Sequence, residues 1–81
     1  TNVKVLCFAQ LKDHLGCSEL SLDLGAGVVA ADVLQALCSR NPAIEPLLAV
    51  CRLAVNGEYT SAEHALKNGD EVVVIPPVSG G

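Results

Sequence analysis

The sequence predicts an α+β domain in which a mixed sheet of four to five strands has one main helix packed across it. Three observations predict this. The apolar spacing has a period of two in the first third of the chain, switches to 3.6 residues near the middle, and returns to strand-like runs afterwards. Turn signals, Asn56-Gly57 and Asn68-Gly69, separate the later runs. The last run, Val72-Val73-Val74-Ile75, is β-branched without alternation, which suits a central strand buried on both faces.

Val3 to Phe8 is apolar and partly alternating and reads as the first strand. Gln10 to Gly16 is a polar connection with room for one helical turn. In Glu19 to Leu24 the residues Leu20, Leu22 and Leu24 alternate with Ser21 and Asp23, so a half-buried second strand is expected. Gly25-Ala26-Gly27 breaks the pattern. From Ala30 to Arg40, the residues Ala30, Val33, Leu34, Leu37 and Cys38 fall on one helical face. No Ser, Thr, Asp or Asn stands ready to cap its start, and Gly27 is a tolerable substitute. Its end is marked by Arg40, favourable at the negative pole of the helix, and by Asn41-Pro42. Ala43 to Ala49 fits a second short helical piece. Cys51 to Val55 and Glu58 to Thr60 form a third and fourth strand around Asn56-Gly57. Pro76 ends the fifth.

The chain has 81 residues, enough for one domain, and 51% of them are apolar. A domain this small buries only about 60–65% of its unfolded surface. Either Ala and Val fill the core, or part of the apolar surplus stays outside as a patch for a protein partner. The net charge is −4, and the five basic residues are scattered, which argues against nucleic-acid binding. No apolar stretch approaches the ~20 residues of a membrane span, so no membrane association is expected. The cysteines, Cys7, Cys17, Cys38 and Cys51, form no C-x-x-C pair and no zinc spacing. Reduced thiols and a cytoplasmic location are expected.

The most informative segment is the last. Residues 1–75 make the body, and 76–81 an extended flexible tail. Pro76 and Pro77 each fix φ and favour an extended course. Val78 and Ser79 lead to Gly80 and Gly81, which have no β-carbons, so the tip is thin and its only reactive group is the terminal carboxylate. At about 3.3–3.6 Å per extended residue, the arm reaches roughly 20 Å, enough to enter a narrow active site. His14 and His64 stand apart without an evident partner, and a Cys17–His14 nucleophile is weaker than a plain polar loop.

These residues resemble the ubiquitin-like β-grasp sulfur carriers, and most closely the small subunits of molybdopterin synthase. The resemblance covers nearly the whole chain. It rests on Lys4-Val5-Leu6-Cys7-Phe8-Ala9, on Ala54-Val55-Asn56, on Leu66 to Val72, and above all on Ile75-Pro76-Pro77-Val78-Ser79-Gly80-Gly81. Cys7, where the family often has an aromatic, and Asn56-Gly57-Glu58 depart from the common pattern. The resemblance implies a β-grasp fold and a working group at Gly81, with Gly80 beside it. An E1-like adenylating enzyme, using ATP and Mg²⁺, would activate the Gly81 carboxylate, and a sulfur donor would convert it to a thiocarboxylate. The tail would then enter the large subunit of molybdopterin synthase and give its sulfur to cyclic pyranopterin monophosphate, within a heterotetramer of two small and two large subunits. This chain would itself bind no cofactor or metal and would hold no self-contained active site. Phe8, Tyr59 and Ile75 fall where the family presents large apolar groups to its partners, and with Pro76, Pro77, Val78 and Ser79 they are the expected partner-binding residues. The competing expectation is that Phe8 and Ile75 are core and Tyr59 covers a turn. A ubiquitin-like protein modifier, a thiamine-pathway sulfur carrier and a plain interaction module are the alternative functions.

Overall fold

A computed structural model describes residues 1–77. Five strands form one sheet: β1 (Asn2–Cys7), β2 (Glu19–Asp23), β3 (Arg52–Val55), β4 (Glu58–Thr60) and β5 (Glu71–Ile75), in the spatial order β2-β1-β5-β3-β4. Only β1 and β5 run parallel, and the other neighbours are antiparallel. Three helices accompany the sheet: α1 (Ala9–Leu15), α2 (Ala30–Arg40) and α3 (Glu45–Leu48), with a 3₁₀ turn at Pro42–Ile44 before α3. This is the mixed-sheet β-grasp arrangement that the sequence predicts, with five strands.

The alternation along each strand sends one set of side chains into a single core. Val3, Val5 and Cys7 of β1, Leu22 of β2, Leu53 and Val55 of β3, and Val72 and Val74 of β5 pack there with Val33 and Leu37 of α2. Each fully buried valine or leucine contributes about 1.5–3 kcal/mol of transfer free energy. The helical face read from the sequence is the buried one, with Ala30, Val33 and Leu37 inside and Leu34 and Cys38 partly so.

Three expectations change. The connection after β1 is a seven-residue helix, α1, and not a single turn. Leu11 anchors it, fully buried in the core, and Gly16, in the left-handed region at φ 76°, ends it by donating its N–H to the Lys12 carbonyl at 2.8 Å. The start of α2 has a partner after all: the carboxylate of Asp32, in its first turn, accepts the Val29 N–H at 2.7 Å. The residue that closes this bond lies three positions into the helix, where the search for a preceding cap does not look. Finally, β5 is central but is not buried on both faces. Val72 and Val74 are fully buried, whereas Glu71, Val73 and Ile75 on the other face are only partly so. The buried residues of all three helices belong to the core on the inner face, so among the described residues no helix packs across the outer face, where only Ala54 among the β3 residues is buried.

Candidate functional site

The outer face of the sheet takes its composition from register. Leu6 of β1 stands beside Val73 of β5, Val73 beside Ala54 of β3, and Ala54 beside Tyr59 of β4. These four residues form an apolar row across four strands. Toward the start of β5 the face turns charged: Lys4 lies next to Glu71, and its ammonium is 3.3 Å from Glu19 and 3.9 Å from Glu71. Toward the end of β5, Ile75 lies beside Arg52. Phe8 follows Cys7, the partner of Val74, and its extended backbone (φ −129°, ψ 160°) carries the alternation of β1 onward onto the face of Lys4 and Leu6. Ala9, at φ 52°, then turns the chain sharply into α1. The face is thus polar at one end and, Arg52 apart, apolar at the end where β5 hands over to residues 76 and 77.

Phe8 is 49% exposed and Tyr59 69% exposed, so neither ring belongs to the core of this chain. Ile75 is half-buried. A groove of about 460 Å³ runs where the chain leaves the sheet, lined by Val50, Arg52, Tyr59, Ile75, Pro76 and Pro77. It brings Tyr59, Ile75, Pro76 and Pro77 together, and Phe8 stands on the same face outside it. Pro76, expected as the first residue of a protruding arm, is buried, and Pro77 is exposed. Val78, Ser79, Gly80 and Gly81 lie outside the described residues.

Sequence reasoning missed Leu6, Val50, Arg52 and Val73. A signal for two of them was present: Leu6 interrupts the polar side of β1, and Val73 breaks the alternation of β5. Arg52 had no signal, because its place depends on its pairing with Ile75 and on the neighbouring Tyr59. The guanidinium carbon of Arg52 lies 5.8 Å from the centre of the Tyr59 ring, within cation–π range.

Other chemistry-bearing groups lie elsewhere. His14, Cys17, Arg40 and Asn41 line one cleft of about 370 Å³. The structure thus brings His14 and Cys17 to one cleft, without a hydrogen bond between their side chains. The Cys38 thiol donates to Glu45 Oε2 at 3.7 Å, and burial together with that carboxylate pushes the thiol pKa up. Cys7, in the core, is pushed up to about 11 by burial and by the neighbouring Cys17 and Cys51. All four thiols are free. Among the described residues, no group of three or more His, Cys, Asp or Glu side chains could hold a metal ion, and no helix is long and apolar enough to cross a membrane.

The Asn56-Gly57 turn is tied to the start of β5. The Asn56 side-chain amide donates to Asp70 Oδ1 at 2.9 Å, and its oxygen accepts the Glu71 N–H at 2.9 Å. The other oxygen of Asp70 accepts the Lys67 N–H at 2.8 Å. These donors, the Lys67 N–H foremost and the Asn56 amide next, hold the Asp70 carboxyl below the usual carboxylate range.

Comparison with known proteins gives a consistent result. The profile of the ThiS family matches residues 5–81. A molybdopterin synthase sulfur carrier subunit from Chlamydomonas reinhardtii is 40% identical over 81 residues, covering 98% of both chains. Small archaeal modifier protein 1 from Haloferax volcanii is 32% identical over 82 residues, covering 91% of this chain and 94% of that one. Among solved structures, a putative molybdopterin converting factor subunit 1 from Pyrococcus furiosus superposes with a TM-score of 0.88 at 31% identity, covering 96% of this chain and 99% of that one.

Proposed function

The chain belongs to the ThiS family, and we propose that within it this protein is the sulfur-carrying small subunit of a molybdopterin synthase. The observation that carries the reading is the position of β5. The strand that leads into residues 76–81 is the middle strand of the sheet, and beside it the outer face presents an apolar surface with two exposed rings. A body built this way docks on a partner while aiming whatever follows residue 77. The 40% identity to a molybdopterin synthase sulfur carrier subunit supports the choice of pathway.

The chemistry assigned to the tail is acyl activation. A carboxylate oxygen of Gly81 attacks the α-phosphorus of ATP on an E1-like partner, and pyrophosphate leaves. ATP and Mg²⁺ belong to that partner's site. Hydrosulfide then attacks the acyl carbon, and AMP departs with the activated oxygen, which leaves a thiocarboxylate on Gly81. In the large subunit the sulfur bonds to a side-chain carbon of cyclic pyranopterin monophosphate as an oxygen substituent leaves that carbon, and hydrolysis of the acyl–sulfur bond leaves the sulfur on the product and returns Gly81 to a carboxylate. The slim Gly80-Gly81 end is needed to pass into both active sites. Phe8, Tyr59 and Ile75, with Pro76 to Ser79, form the docking surface, and two carriers sit on a dimer of large subunits.

The test is to incubate the chain with the cognate activating enzyme, ATP, Mg²⁺ and sulfide, and to measure its intact mass. Exchange of one carboxylate oxygen for sulfur supports the proposal. Deleting Gly81 is expected to abolish transfer while the far-UV circular dichroism stays unchanged, and retained transfer overturns the mechanism. The likeness to small archaeal modifier protein 1 favours a second reading, a modifier joined through Gly81 to lysines. Higher-mass conjugates in place of the thiocarboxylate select it.

A further inference from the structure

We propose that Arg52 is a specificity-determining residue at the root of the tail, and that the docking partner presents an Asp or Glu carboxylate to it from within an apolar surface. The inference rests on the reading of the outer face as a docking surface. It starts from position. Arg52 opens β3 opposite Ile75 on that face, and its guanidinium carbon lies 5.8 Å from the centre of the Tyr59 ring, within cation–π range. All three residues line the groove beside Pro76 and Pro77. A partner that covers Ile75 and Tyr59 therefore covers Arg52 as well.

The charge of Arg52 is unmatched within the described residues. The other cation on this face, Lys4, is held between Glu19 and Glu71, but no carboxylate lies within ion-pair distance of Arg52. Glu58, on the neighbouring strand, pairs with Val55 and so stands on the opposite side of the sheet. Covering a guanidinium without supplying an anion leaves a desolvated, unpaired charge, which is strongly unfavourable. Arginine is the cation suited to this place. Over a ring face, its planar guanidinium still offers N–H groups for a two-point bond to a carboxylate, which an ammonium cannot make. A partner lacking the acid is rejected even if its apolar shape fits.

The experiment measures the dissociation constant of the full chain with the cognate large subunit of molybdopterin synthase by calorimetry, at low and high salt, with circular dichroism to verify the fold. Arg52→Glu is expected to weaken binding by about a hundredfold and Arg52→Ala by about tenfold, with Arg52→Lys, which keeps the charge but not the two-point bond, weakening it less than Arg52→Ala. Reversing one acidic residue of the large subunit to Lys is expected to restore affinity to Arg52→Glu. Tyr59→Ala, which removes an apolar contact, is not rescued by that reversal. Binding of Arg52→Glu within about twofold of wild type overturns the proposal and leaves the docking surface standing. Weakened binding that no reversal on the large subunit restores overturns it also. Failure of the wild-type chain to bind the large subunit overturns the functional reading itself, and this inference with it.

Discussion

Replacing Val74 and Ile75 one at a time tests whether two faces of one strand do different work. The two are neighbours on β5 and point to opposite sides of the sheet. Val74 has no exposed surface and sits between Cys7 and Leu53 in register. Val74→Ala removes two methyl groups, about 1.6 kcal/mol of transfer free energy at ~0.8 kcal/mol each, and leaves a small cavity that raises the loss to roughly 2–3 kcal/mol. For an 81-residue chain of ordinary stability, about 4–12 kcal/mol, that is a large fraction but leaves it folded. At about 4–8 °C per kcal/mol, the melting temperature falls by roughly 10–20 °C. Ile75→Ala removes more atoms from a half-buried site open to solvent, where the surroundings do not enclose a cavity, and costs about 1 kcal/mol. Its effect appears in docking instead, where affinity for the large subunit falls by about tenfold or more. The chain has one tyrosine and no tryptophan, so urea unfolding is best followed by far-UV circular dichroism, with calorimetry for binding. The reasoning is refuted if Ile75→Ala costs more stability than Val74→Ala, or if Val74→Ala, once corrected for the folded fraction, weakens docking as much as Ile75→Ala.

Four other outcomes are expected. Since folding lowers the Asp70 carboxyl pKa, its contribution to stability is complete above the ordinary value of 3.8 and is lost as pH falls below that through the lowered folded value. Asp70→Asn is therefore expected to shrink the difference between the urea midpoints at pH 6 and pH 3, and an unchanged difference counts against the Asn56–Asp70 tie. Cys7, raised from 9.0 to about 11, favours the protonated thiol in the fold, so its contribution is complete below pH 9 and declines as pH rises toward 11. In native alkylation at pH 8 followed by peptide mass mapping, Cys7 is expected to react last, after the half-buried Cys17 that lines an open cleft. Gly57, at φ 87° in the turn between β3 and β4, is expected to lose about 1 kcal/mol in urea unfolding when changed to Ala, although no neighbouring atom would crowd the added methyl.

Much of the architecture was legible because its signals are local. The α2 face, the Leu20–Leu22 alternation and the turn at Asn56-Gly57 each follow from residues within a few positions of one another. What escaped depends on distant partners. Helix α1 looked like a polar connection since its one buried residue, Leu11, is surrounded in sequence by Gln10, Lys12, Asp13 and His14. The unbroken apolar run of β5 predicts burial on both sides. In the structure the outer half of that run remains partly open, so the surplus that suggested interior is surface. For the candidate site, Phe8, Tyr59 and Ile75 were legible through resemblance. Arg52 was not, as its meaning arises only when β3, β4 and β5 are laid side by side.

The parallel pairing of β1 with β5 also governs how the domain bears force. A partner that grips the end of the chain and pulls draws β5 along its own axis. With ladders to β1 on one side and β3 on the other, the strand cannot be unzipped one bond at a time. Both rows must shear together, so the body moves as one piece with a load applied along β5.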